Sequence, residues 1–205
     1  LKKSQSLFNS IMAYHEWFFS ARDPNNEGFL SIIHPWESGR DNCPDWDSGL
    51  KKVKIPEDFE DYLRFDTSHV EVSQRPTNED YDKFMSIVQY GKNCNWDPLS
   101  MYNHGPFLAI DPGINFIFLK ANKDLLSLAK LLNYKNKICK IEAWINKLEN
   151  SCQKFWNIKL KAFTAFDMRT NQFCDAITNA AMPCLYAGAG IDKQKNILFS
   201  IVRGF

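Results

Sequence analysis

The residues best equipped for chemistry stand together in His34-Pro35-Trp36-Glu37-Ser38-Gly39-Arg40-Asp41-Asn42-Cys43-Pro44, followed directly by Asp45-Trp46-Asp47. Nowhere else does the chain gather indole, glycine and several carboxylates so densely, and the stretch has neither helical nor strand periodicity. Its prolines, Gly39 and its Asp and Asn residues are ordinary loop punctuation, and Asp41 by itself would serve as a turn cap. The indoles of Trp36 and Trp46 are harder to explain in a merely solvated turn. Indole faces beside carboxylates suit the apolar faces and hydroxyl rims of a sugar, and function concentrates on loops held by a scaffold. Composition alone leaves a solvated turn and a carbohydrate-type site both standing.

Other chemistries find less support. His15, His34, His69 and His104 show no HExxH or paired spacing, and the acidic run from 41 to 47 lacks the regular alternation and glycine of a calcium loop, so no metal and no cofactor are expected. The net charge of +1 comes from 25 basic and 24 acidic residues, which gives no stripe for nucleic acid and no polybasic patch for a membrane. Six cysteines, at 43, 94, 139, 152, 174 and 184, form no CxxC pair and no disulfide spacing, as reduced thiols in a cytoplasmic protein would. The N-terminal residues offer neither a signal core nor a spanning run.

The elements that must position the loop are mostly helical. Leu7, Phe8, Ile11, Met12, His15, Phe18 and Phe19 recur at three- and four-residue steps and predict a helix over 3–22, ended by Asp23-Pro24-Asn25-Asn26. Phe29, Leu30, Ile32 and Ile33 then form an apolar anchor just before the loop. Residues 45–75 are polar and irregular, with Lys51, Lys52 and Lys54 as a solvated face. Thr77 reads as the cap of a second helix ending near Gly91, Asp111-Pro112 opens a third that runs to Leu132, and a fourth covers about 136–155. Asn115, Asn122 and Asp124 read as structural polar positions on the third helix. A β-hairpin is expected over 162–173, and 178–190 returns toward helix, interrupted by Pro183. At 205 residues with 44% hydrophobic side chains, one domain with a sizeable core is expected.

The string His34 to Asp47, HPWESGRDNCPDWD, resembles the HPWESGxDNSPxWD segment of the bacterial mannosylglycerate and glucosylglycerate hydrolases of glycoside hydrolase family 63, and more loosely the ESGWD segment of trehalases. Cys43 replaces the usual serine, a near-isosteric change. Residues 107–129, FLAIDPGINFIFLKANKDLLSLA, are similar to the family's FLVEDPxxNxxxxxANxDLxxLA helix, and Asp167-Met168-Arg169-Thr170 and Leu185-Tyr186-Ala187-Gly188 follow in the expected order. The resemblance implies an all-α class, part of an (α/α)6 barrel of the six-hairpin glycosidase type with a small β-hairpin. It also implies that residues 1–205 are the central part of the catalytic domain, because the family's YWRGPxWxxxNW segment and the glutamate that acts as general base do not occur here.

On function, the resemblance implies an inverting glycosidase acting on a small α-glycoside such as mannosylglycerate or glucosylglycerate. Asp41 is then the general acid, and indole with neighbouring carboxylates favours the neutral acid that a proton donor needs. Trp36 resembles the sugar-platform residue. Arg75 and Tyr81 occupy positions that contact the glycerate carboxylate in glycerate-releasing members, although an Arg before a capped helix is ordinarily a surface residue. Glu37 either bonds sugar hydroxyls or orients its neighbours, and Trp96 and His104 are assigned to packing or loop contacts. The implied partner is a small saccharide, with no nucleic acid and no membrane. A truncated barrel that binds sugar without cleaving it is the alternative, and a purely structural helical module would leave the loop unexplained.

Overall fold

The computed structural model describes residues 2–203. Helix α1, Lys2–Arg22, buries Phe8, Met12 and His15 along one stripe. It stops because Pro24 has no amide proton to continue the ladder, and the Asp23 carboxylate accepts from the backbone N–H of Glu27 at 2.6 Å and of Gly28 at 2.9 Å to turn the chain. Strand β1, Ser31–Ile32, leads into the loop, which winds through 3-10 turns at Pro35–Ser38 and Pro44–Trp46 into the single turn of α2, Asp47–Leu50.

An irregular stretch then runs to α3, Asn78–Asn93, where the Thr77 hydroxyl accepts from Asp80 N at 3.1 Å as the sequence predicts. The helix passes through Gly91 rather than stopping there. A Cβ on Gly91 would lie 2.4 Å from Cζ3 of Trp96, so the glycine serves a close approach of an indole and not a helix end. Helix α4, Pro98–His104, opens on Asp97, the same acid-plus-proline signal that opens α5, Pro112–Leu131, on Asp111. The sequence reading used only the second of these. Strand β2, Ala109–Ile110, lies between them.

Helix α6, Lys135–Ser151, antiparallel neighbour to α5, ends in a 3-10 turn at Cys152–Phe155. The expected single hairpin over 162–173 divides. Strand β4, Ala162–Phe163, turns back on β3, Trp156–Asn157, while β5, Phe166–Asp167, pairs with β6, Gln172–Phe173. Lys161 at φ 53° and Asn171 at φ 58° supply the left-handed turn residues of the two hairpins. Helices α7, Pro183–Ala187, and α8, Asp192–Arg203, follow. Pro183 opens α7, where its missing N–H is harmless, instead of interrupting a helix.

The fold is thus mostly helical, with two small antiparallel sheets. The larger has the order β1-β2-β5-β6 and pairs Ser31 with Ile110, Ala109 with Asp167 and Phe166 with Phe173. It ties the entrance of the loop to segments far along the chain. Two apolar clusters follow. One joins α1, α5 and α6 through Phe8, Phe116, Leu119 and Ile141, and the other gathers Ile32, Ile33, Trp46, Phe84, Ile87 and Phe107 beneath the loop. Asn115 fastens the first turn of α5 to the residue just before β1: its Oδ1 accepts from Leu30 N at 2.7 Å and its Nδ2 donates to Leu30 O at 2.8 Å. Asn122, equally buried, donates to Phe118 O and meets His15 Nδ1. Both asparagines are structural, as expected.

Candidate active site

His34 begins the site from below. Its Nδ1 accepts from Trp36 N at 3.0 Å, which leaves the ring proton on Nε2, donated to Phe84 O at 3.1 Å. Burial takes this imidazole from its ordinary value of 6.5 down to about 4, so it is neutral at physiological pH. Its ring lies 4.3 Å from that of Trp36, centroid to centroid, and thereby supports the indole from behind. Gly39, at φ 66°, closes the 3-10 turn in a conformation that most side chains resist.

Arg40 fixes the next step of the chain from both ends. Its carbonyl accepts from Cys43 N at 3.0 Å and from Trp46 Nε1 at 2.9 Å. Its guanidinium turns inward to Asp45 Oδ2 at 3.0 Å, Asp111 Oδ1 at 3.1 Å, Asn179 Oδ1 at 3.2 Å and Thr178 Oγ1 at 3.4 Å. One side chain therefore joins the loop to the N-terminus of α5 and to the turn before α7. Burial pushes the Asp111 carboxyl above its usual range against the pull of Arg40 and the Gly113 N–H, and its Oδ2 is buried without a protein partner.

With its neighbour clamped, Asp41 sits at the rim, 29% exposed, with Arg75 Nη2 at 3.9 Å from its Oδ2. Its near neighbour is a cation, where the sequence reading expected indole and carboxylates. Trp36 is 42% exposed and backed by His34, Phe84 at 5.9 Å and Tyr81 at 6.1 Å, the arrangement of a platform with one open side. The structure therefore brings four of the five candidate residues into two pairs, Trp36 with Tyr81 and Asp41 with Arg75.

Glu37 faces elsewhere. Both its oxygens accept from Arg22 Nε at 3.2 Å, Arg22 Nη2 also donates to it, and Oε2 accepts from Ile33 N at 2.9 Å. Of the two roles weighed for it, the geometry favours orienting neighbours by fastening the loop to the end of α1. Beside it lies a hollow of about 250 Å³ lined by Tyr14, Trp17, Phe18 and Ile114. Trp46, read from sequence as a second sugar-facing indole, is instead 1% exposed and packs edge-on against Phe107. Trp96 packs over Gly91, as expected. Among the described residues no group of three or more His, Cys, Asp or Glu is placed to hold a metal ion.

The sequence reading missed Arg40, Arg22 and the pair Arg64 and Asp66. Arg40 lies inside the motif, but nothing in a single sequence tells which way its guanidinium turns. Arg64 and Asp66 stand in a polar, aperiodic stretch with no signal at all.

The model of the mannosylglycerate hydrolase MGH1-like glycoside hydrolase domain matches residues 2–200. The chain belongs to this family. Among the glycoside hydrolase relatives, the mannosylglycerate hydrolase of Thermus thermophilus is 36% identical over 96% of this chain, and the mannosylglycerate hydrolase MGH1 of Selaginella moellendorffii is 34% identical over 95%. A crystal structure of a family 63 mannosylglycerate hydrolase from Thermus thermophilus in complex with Tris and D-glycerate superposes with a TM-score of 0.91 at 34% identity, covering 97% of this chain. The same hydrolase in complex with glucose gives 0.89. The chain spans about half the length of these relatives: 46% and 40% of the two hydrolases and 48% of the glycerate-bound structure. That likeness is consistent with part of an (α/α)6 barrel.

Proposed function

We propose that these residues carry the general-acid half of an inverting glycosidase that cleaves a small α-glycoside with an anionic aglycone, such as mannosylglycerate or glucosylglycerate. The observation that carries the reading is the half-open indole of Trp36, 42% exposed and backed by His34, Phe84 and Tyr81, on the same loop that carries Asp41 at its rim. Trp36 receives the apolar face of the sugar, and Asp41 gives its proton to the glycosidic oxygen as the bond to the anomeric carbon breaks. Arg75 and the Tyr81 phenol hold the departing carboxylate, a charge-assisted contact suited to a planar guanidinium. Glu37 orients the loop through Arg22. Inversion requires a second carboxyl about 6.5–9.5 Å across the bond to activate water, a role assigned to a residue outside 1–205. The ligands named for the family 63 crystal structures, D-glycerate and glucose, support both halves of the substrate class.

The location proposed is cytoplasmic, which the six free cysteines support. Among the described residues no helix is long and apolar enough to cross a membrane.

The test is Asp41→Asn in the full-length protein. It keeps the outline of the side chain and removes the transferable proton, so kcat on the glycerate glycoside falls by about 10² to 10⁴-fold while binding survives. The loss shrinks on a nitrophenyl glycoside, whose leaving group departs with little protonic help. Equal impairment on both substrates would mean that Asp41 positions the sugar and donates no proton. Following the anomeric proton by NMR during turnover reads inversion directly, and retained binding without hydrolysis in the wild type would favour the sugar-binding reading.

A further inference from the structure

We infer that Arg64 and Asp66 are positioning residues for the aglycone side of the site: Asp66 aims the Arg75 fork, and Arg64 prevents Asp66 from neutralising it. The inference rests on the assignment of Arg75 and Tyr81 to an anionic aglycone.

The charged side chains of Arg64 and Asp66 are 14% and 11% exposed, deep for an irregular surface stretch. Arg64 Nε and Nη2 donate to the two oxygens of Asp66 at 3.0 and 2.7 Å, a bidentate pair. Its remaining contacts fasten the start of α3: Nη1 donates to Asn78 Oδ1 at 2.8 Å and Nη2 to Pro76 O at 3.1 Å. The guanidinium carbon also lies 4.3 Å from the centroid of the Tyr81 ring, and Tyr62 stacks on that ring at 5.5 Å. Asp66 Oδ2 is then shared with Arg75, whose Nε donates to it at 3.0 Å. A single pair thus touches both candidate aglycone residues.

Two consequences follow from this geometry. Because Nε of Arg75 is committed to Asp66, its terminal nitrogens are the part of the fork left to a ligand, and Nη2 is the one near Asp41. Charge supplies the second. Arg64 and Arg75 share one carboxylate, so one positive charge among the three remains for an incoming anion. Hydrogen bonds from Arg64, chiefly, hold the Asp66 carboxyl well below the usual carboxylate range, and it stays ionised while it does this. Without Arg64, the Asp66 carboxylate would swing wholly onto Arg75 in the bidentate geometry such pairs favour and cancel the charge that a substrate needs.

The experiment uses the full-length protein with a glycerate glycoside and the glycerol glycoside of the same sugar, alongside calorimetric titration with D-glycerate and with glycerol. Arg64→Gln is expected to raise KM for the anionic glycoside about tenfold more than for the neutral one, with the change in kcat smaller than that in KM, and to weaken D-glycerate binding similarly; the tenfold corresponds to about 1.4 kcal/mol. Arg64→Lys, which keeps the charge but not the fork, recovers part of the preference and serves if the glutamine variant does not fold. Arg75→Ala is the control. If Arg75→Ala abolishes the preference while both Arg64 variants leave it intact, or change both substrates alike, the inference fails and the aglycone reading stands. A preference that survives Arg75→Ala removes the reading beneath it.

Discussion

At the scale of single residues, the candidate site depends on an imidazole buried behind its exposed indole. His34 is neutral because it is buried, and its neutrality is what lets Nδ1 accept from the backbone of Trp36. Its value falls from 6.5 in the unfolded chain to about 4 in the folded one, so between those pH values the unfolded state binds the extra proton and stability drops as pH falls. The loss approaches about 1.4 kcal/mol per pH unit, or roughly 3 kcal/mol across the window, and is absent above pH 6.5. Urea unfolding of His34→Asn, which keeps an acceptor for Trp36 N but cannot titrate, should show lower stability at pH 7 and a flatter dependence between pH 6.5 and 4. An unchanged slope would assign the acid sensitivity elsewhere, with His15, shifted in the same direction by burial, the first candidate. That Trp36 and Asp41 lie on an irregular loop was legible because turn residues act locally. The inward turn of Arg40, the engagement of Glu37 by Arg22 and the burial of Trp46 were not, because each is decided by a partner remote in sequence or by the core.

At the scale of elements, Gly91 shows two effects of opposite sign competing at one position. Alanine raises helix propensity over glycine by about 1 kcal/mol, yet its methyl group would press into the Trp96 ring, and overpacking costs typically 1–3 kcal/mol. Gly91→Ala is therefore expected to destabilise by up to about 2 kcal/mol, and the same substitution in a Trp96→Ala background to stabilise by about 1 kcal/mol. Thermal melts of the four proteins would decide it, and destabilisation in both backgrounds would refute the account. Helices α1, α3, α5 and α6, of 21, 16, 20 and 17 residues, were readable because each is long enough to sustain a periodic stripe, although the glycine read as the end of α3 lies inside it. The strands are two residues each, too short to display alternation, and α4 and α7 are too short for a stripe. Their placement comes from pairing and packing with distant segments.

At the scale of the whole molecule, one face of α1 remains apolar and open, with Tyr14 59% and Trp17 45% exposed beside the hollow near Glu37. Such a patch favours association, so residues 1–205 alone should scatter light increasingly with concentration and bind an apolar dye, and Trp17→Ser should reduce both. A monodisperse species that ignores the dye would argue that this face is quiet in water. The helical class was legible from the pattern, but the small sheet that ties 31–32 to 109–110 and 166–167 was not, since its partners lie so far apart in the chain. That distance also governs when the site can form during synthesis. Arg40 leaves the ribosome 138 residues ahead of Thr178, one of the groups that fasten it. At about 5–20 residues per second, the segment bearing Asp41 waits roughly 7–30 s before its last tether emerges, so chaperone contacts and nascent-chain proteolysis should fall on residues 34–47 in that interval.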